Sequence, residues 1–219
     1  MTLRLYFHPL SHYCQKALVA LYENDTPFTP QVVDLGDPAE RAAFLKVWPL
    51  GKFPVMRDEA RGVTVPESNV IIEYLALHYP GPVPLVPDDP EQAWNVRRID
   101  RLFDLHISLP MQKIVTDRIR PAGQHDRFGI EDARKRLAVA YDVIDVELGG
   151  RTWAAGETFS LADCGAGPTS FYAAKVQPFA DTHRNLAAYF DRIANRPSYA
   201  RALREAEPYF NLFPQQDVG

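Results

Sequence analysis

The sequence predicts an α/β layer of order βαβαββα followed by an all-α domain. Three observations carry that prediction. Strand-like and helix-like apolar patterns alternate over residues 1–80. A proline-dense stretch follows, Tyr79-Pro-Gly-Pro-Val-Pro-Leu-Val-Pro, which neither a helix nor a central strand accommodates. Beyond it, apolar residues recur only at helical spacing. The expected organisation is therefore a layer over 1–80, a linker over 81–89 and a helical domain over 90–219.

The elements follow in order. Leu3-Arg4-Leu5-Tyr6-Phe7 alternates as a strand does and is ended by His8-Pro9. Cys14, Ala17, Leu18 and Leu21 then recur at helical spacing. Thr29 to Leu35 reads as a second strand. Asp37 as N-cap, with Pro38 in the first turn, opens a helix to Val47. Phe53 to Arg57 and Val63 to Val65 flank a charged turn and read as a hairpin. Glu67 to His78 reads as a helix with Val70, Ile71, Tyr74 and Leu75 on one face. This order implies a parallel pair of strands extended by an antiparallel hairpin. In the second domain, Val96, Ile99 and Phe103 keep a helical period, as do Ile130, Ala133, Leu137, Ala140, Tyr141, Ile144 and Leu148. Further helices are expected near 161–175, 184–195 and 198–206.

Composition narrows the function. The formal charge is −4, without the basic stripe that displaces counterions from nucleic acid. No apolar run is long enough to span a bilayer, and the start of the chain lacks the pattern of a signal peptide, so a cytoplasmic protein with no membrane partner is expected. Cys14 and Cys164 are the only cysteines, too few for a disulfide framework or a cysteine zinc site. No H-E-x-x-H motif appears, and no metal site is expected.

Three local patterns carry chemistry. In Lys52-Phe53-Pro54-Val55, a proline at a strand start cannot donate to a ladder. A cis bond there would leave backbone groups free for an extended peptide ligand; a trans proline merely opening the strand is the alternative. In Val65-Pro66-Glu67-Ser68-Asn69, Glu67 and Ser68 sit where a helix begins, with free N–H groups to receive a carboxylate and an acid to meet an ammonium. Plain N-capping is the competing reading. In Phe159-Ser160-Leu161-Ala162-Asp163, Ser160 and the acid three residues on form a capping box with Phe159 as its staple, not a catalytic pair.

In this order and at these distances, the segments SHYCQKALVAL, WPLGKFPV, VPESNVIIEYL and the S-L-A-D helix start identify a chain that resembles the cytosolic glutathione transferases over essentially its whole length. The likeness is to bacterial-type, serine-using members related to the theta, zeta and beta classes. It implies a thioredoxin-like N-terminal domain, glutathione as co-substrate, an apolar electrophile as second substrate, and a homodimer engaged in detoxification. It assigns Pro54 as cis, Val55 as the residue whose backbone pairs with the cysteinyl unit, and Glu67 and Ser68 as holders of the γ-glutamyl group. Lys52 is a candidate for the glycyl carboxylate, against a solvated turn lysine. Trp48 departs from the asparagine common before the Pro-x-Gly turn, which bears on the geometry of that loop.

The same resemblance places Ser11 where theta- and zeta-like members carry a catalytic serine and omega-like members a cysteine. Only a few per cent of a free thiol is ionised at neutral pH. A hydroxyl donor beside a helix N-terminus shifts that balance toward the thiolate. Tyr6, in the strand where other classes carry a tyrosine, is the rival; Cys14 reads as a buried thiol and His12 as an incidental exposed residue. Phe103, His106 and Met111 are candidate walls of the second-substrate pocket. Pro110 and the Cys164-to-Pro168 run either shape that pocket or reflect helix packing. The tail residues Tyr209, Phe210 and Phe213 either cover it or dock on the core. Arg97, Arg98, Asp100, Arg101 and Asp104 line the helix that in related proteins meets the partner subunit. The alternatives to conjugation are glutathione-dependent isomerisation or dehalogenation, thiol–disulfide or peroxide reduction through Cys14, and a non-catalytic binding module.

Overall fold

The computed structural model describes residues 2–215. Strand β1 (Leu3–Phe7) buries Leu3, Leu5 and Phe7 on one face and lies second in a four-stranded sheet of order β2-β1-β3-β4. β2 (Thr29–Val32) runs parallel to β1, whereas β3 (Val55–Asp58) and β4 (Val63–Pro66) add antiparallel. Pro30 is tolerated because β2 is an edge strand whose outer side pairs with nothing. β2 ends three residues earlier than the apolar run predicts: after the bond from Val33 N–H to Phe7 C=O, a turn closes with Gly36 N–H donating to Asp34 at 2.7 Å.

Helices α1 (His12–Glu23) and α3 (Ser68–His78) cover one face of the sheet, and α2 (Pro38–Val47) covers the other. α2 starts as its sequence dictates, with Asp37 accepting from Ala39 N–H and Glu40 N–H. Trp48 does not disturb the following loop. It caps α2, its carbonyl accepts from Gly51 N–H at 3.0 Å, and Gly51 takes the positive φ of 63° that the turn requires.

The second domain is helical: α4 (Pro90–Arg101), α5 (Ser108–Asp117), α6 (Arg127–Leu148), α7 (Leu161–Val176), α8 (Arg184–Ala194) and α9 (Pro197–Ala206), then a 3₁₀ turn over Glu207–Leu212. Pro110 does not end its helix. The six residues Leu102–Ile107 between α4 and α5 form a π-helical turn, with Ser108 N–H bonded to Phe103 C=O. The wider turn moves carbonyls away from the proline ring that would otherwise strike them.

α7 is buried on nearly every side and forms the centre of the molecule. Its start is the expected box, with Asp163 accepting from Ser160 N–H at 2.8 Å and from Ser160 Oγ at 3.0 Å. The carboxylate is buried and accepts two more bonds, from Ala154 N–H and Tyr189 OH, so its role is structural. The glycines preceding Pro168 serve packing: a Cβ on Gly167 would lie 3.1 Å from Ile193 and 3.2 Å from Tyr199. One apolar core runs from β1 and α1 through α7 to α9, so the two domains share their interior. The segment between them is docked, with Leu85 buried and its carbonyl accepting from Leu161 N–H.

Candidate functional site

Sheet register decides which loops meet. Val55 opposes Tyr6 on one side and Pro66 on the other. The end of β1, the start of β3 and the end of β4 therefore lie together, and with them the residues that precede or follow each strand: Ser11, Lys52 to Pro54, and Glu67 to Ser68.

Ser11 is the N-cap of α1, half-buried, with an extended backbone. Its N–H donates to His8 C=O at 3.0 Å, and its Oγ accepts a long bond of 3.4 Å from Cys14 N–H. Accepting leaves the hydroxyl proton free for another acceptor. Cys14 lies beneath, fully buried, its thiol pushed up to about 12 by burial against the pull of the Ser11 side chain and the His8 backbone. Such a thiol is inert near neutrality.

His12 differs from expectation. It is buried, not exposed, because α1 packs under the helical domain. Burial, with Lys16 adding to it, pulls its pKa down to about 3, so the ring stays neutral and carries no proton relay. His8 is half-buried between Phe53, stacked at 6.2 Å, and Tyr209, edge-on at 5.1 Å. Its Nδ1 accepts from Leu10 N–H at 3.2 Å, which leaves the proton of the neutral ring on Nε2. Burial lowers its pKa, partly opposed by Asp34. Tyr6 packs against Phe44 at 6.0 Å, in the small cluster under α2.

The Phe53–Pro54 peptide bond is cis. Val55 does not present the peptide edge assigned to it: it is fully buried and paired on both sides within the sheet. The residue left outside the ladder at this turn is Phe53, half-buried against His8. Glu67 is exposed, adopts φ 69° and makes no capping bond of its own. A non-glycine residue held at positive φ is strained, and such strain clusters at ligand sites. Ser68 beside it is buried. Lys52 is exposed and makes no ion pair among the described residues.

The three pocket candidates do not meet. Phe103 and Met111 are buried in the core, Phe103 against Tyr189. His106 instead lines an apolar cleft of about 920 Å³ between α5 and α6, with Leu105, Leu109, Val139 and Val143. A heptad-like pattern cannot foresee this, because the π turn rotates the residues after Leu102 relative to those before it. The face looking toward α1 and α7 carries Asp104 and Ser108, which bond Lys16 and Thr169. Tyr13, half-buried nearby, has its hydroxyl pushed up to about 12 by burial and by Asp104, while the bond from Ser108 opposes the shift. In the aromatic tail Phe210 stacks on Phe171 and Phe213 on Tyr172, while Tyr209 lies edge-on to His8.

Sequence reading missed Lys16, Asn69 and Tyr13. The one available signal for Lys16 was a charge in the middle of a helix that is mostly apolar around its circumference. Among the described residues there is no cluster of three potential metal ligands, and no helix is long and apolar enough to cross a membrane.

Residues 5–83 match the family model of the glutathione S-transferase N-terminal domain, and residues 108–197 that of the C-terminal domain. The chain belongs to the glutathione S-transferase family. Glutathione S-transferase GstB of Escherichia coli K12 is 25% identical over 167 residues, 74% of this chain and 78% of that one. A glutathione S-transferase from Methylobacterium radiotolerans, solved in complex with glutathione sulfonate, superposes with a TM-score of 0.80 at 31% identity, covering 91% of this chain and 93% of that one. Another from Methylobacillus flagellatus KT, solved with GSH bound, gives 0.83 at 28% identity, covering 91% and 98%. The N-terminal domain is thus the family's thioredoxin-like domain, and α4 to α9 belong to its helical domain.

Proposed function

We propose that the chain binds glutathione at this end of the sheet, holds its thiolate with the Ser11 hydroxyl and transfers it to an apolar electrophile. The carrying observation is the register that gathers a hydroxyl at a helix N-terminus, a cis-proline turn and the start of α3. The relatives solved with glutathione and glutathione sulfonate support the choice of ligand. The cysteinyl unit lies along Phe53, the residue outside the ladder, in place of Val55. The γ-glutamyl carboxylate takes the free N–H groups of α3 and Ser68, its ammonium meets Glu67, and Lys52 faces the glycyl carboxylate.

Chemistry then needs little more than a sulfur kept ionised. Ser11 Oγ–H donates to the thiolate, whose lone pair attacks the electrophilic carbon. A C–S bond forms while the leaving group departs with its electron pair, or while an activated double bond takes up the charge and then a proton from water. Leu10, Tyr13 and Tyr209, which lies against His8, are the proposed walls for the second substrate. Residues 1–80 hold glutathione, and residues 90–219, joined through 81–89, contribute the remaining surfaces of a cytoplasmic homodimer. The exposed Val70, Leu77, Trp94, Leu105, Val139 and Val143 are the apolar surface offered to the second copy. Calorimetric titration with glutathione, followed by conjugation assays on aryl halides and α,β-unsaturated carbonyls, tests the reading. Micromolar-to-millimolar binding with turnover is expected; no binding and no turnover would overturn it.

A further inference from the structure

α1 is apolar around most of its circumference, yet it carries an ammonium at Lys16 that is 1% exposed. A charge without water persists only where partners satisfy it. Lys16 Nζ donates to Asn69 Oδ1 at 2.9 Å, to Asp100 Oδ1 at 2.5 Å and to Asp104 Oδ1 at 3.3 Å, which uses all three of its protons. Arg101 pairs with both carboxylates from the outer side, so two cations face two anions.

Charge balance needs only the aspartates. The bond to Asn69 does something further, because Asn69 is the second residue of α3 and follows Ser68 directly. Its amide is held at both ends: Lys16 and Ser68 Oγ donate to the oxygen, and the nitrogen donates to Asp100 Oδ2. The first turn of α3 is thereby tied to α1, which starts at Ser11, and to α4 of the helical domain. α7 joins the arrangement through Gly165. A Cβ there would lie 3.0 Å from Lys16 Cδ and Cε and 3.1 Å from Nζ, so the glycine leaves the clearance in which the lysine extends.

We infer that Lys16 is a positioning residue for the γ-glutamyl end of glutathione: it fixes the first turn of α3 through Asn69, and Gly165 of the helical domain keeps open the space it needs. The inference rests on the reading that Glu67 and Ser68 receive that group. Lys16 itself is sealed from any ligand, so its effect is on the placing of the α3 N–H groups and not on the sulfur.

The test compares glutathione affinity by calorimetry, kcat and KM for glutathione, and the thermal midpoint in the full-length protein. Lys16→Met alone strands two carboxylates and is expected to fold poorly. Lys16→Met with Asp100→Asn removes one charge of each sign, and Gly165→Ala keeps every charge while crowding the lysine. Both are expected to raise Kd and KM for glutathione about tenfold, with kcat at saturating glutathione changed by less than about threefold, because misplacement by an ångström is costly while the thiolate donor is untouched. Adding Asn69→Ala to the double variant should weaken binding far less than the same change does in the wild type, the mark of residues acting as one unit. A lowered thermal midpoint with unchanged Kd, or an Asn69→Ala effect that is fully additive, would overturn the inference. If the wild-type protein binds no glutathione, the functional reading and this inference fall together; if it binds and the variants match it, this inference falls alone.

Discussion

Replacing Ser11 with alanine removes one hydroxyl from the N-terminus of α1 and leaves the fold intact. The capping loss is small, since the Oγ accepts only the 3.4 Å bond from Cys14 N–H; about 0.5 kcal/mol, the low end for such caps, is expected. The chemical loss is larger. A bond to an ionised partner contributes about 1.5–3 kcal/mol, which corresponds to about one to two pKa units of the bound thiol. The helix end adds about 0.3–1 kcal/mol that survives the substitution. A free thiol titrates near 8.5, so the two effects together place the bound thiol at about 6–7 and the variant at about 8. The sign is fixed by which form reacts. Because the hydroxyl favours the anion, wild-type kcat/KM rises with pH and levels off above the lowered pKa. The Ser11→Ala profile rises later, falls behind by about 8–25-fold near pH 6.5, and approaches the wild type above about pH 9. Initial rates with one electrophile across pH 5.5–9.5 measure both curves. Superimposable profiles would refute the assignment of Ser11 as the thiolate donor.

Three further outcomes follow from the same geometry. Cys14, buried with its thiol raised to about 12, should resist alkylating reagents in the folded protein at pH 7.5 and react once denaturant opens the core, and Cys14→Ser should keep conjugating activity; rapid labelling of native Cys14 would revive the reductase reading. Asp58 is buried, which alone would raise its pKa, but bonds from Tyr79, Tyr74 and the Arg61 and Ala60 amides outweigh this and hold it below the usual carboxylate range. Its stabilising contribution is therefore present above the unfolded carboxylate's pKa of about 3.9 and lost as pH falls through the folded value, so Asp58→Asn should cost stability at pH 7 and flatten its decline in acid, read by urea melts from pH 7 to pH 2.5. Val143→Glu, placing a charge on the exposed α6 face, should shift sedimentation from dimer to monomer; an unchanged dimer would move the interface elsewhere.

Much of this molecule could be read along the chain because the causes are local. Asp37-Pro38 opening α2, the Ser160–Asp163 box opening α7 and the period of α6 each act within four residues, and each element formed where its signal stood. Glu67 and Ser68 could be placed at a helix start for the same reason. What the chain could not reveal is every feature set by pairing across it. Strand register, not strand pattern, buried Val55 and left Phe53 as the residue outside the ladder. The π turn, a consequence of fitting Pro110 into a continuous helix, sent His106 to one face while Phe103 and Met111 went to the core. Lys16 looked like one more helix lysine until Asp100 and Asp104, more than eighty residues away, closed around it. The sequence by itself determined the order of elements, the family and the residues at each loop, since short-range sterics and capping depend only on neighbours. The tertiary structure alone decided which of those residues share a site and which charges are sealed from water, because burial and register are properties of contacts that no neighbour in sequence specifies.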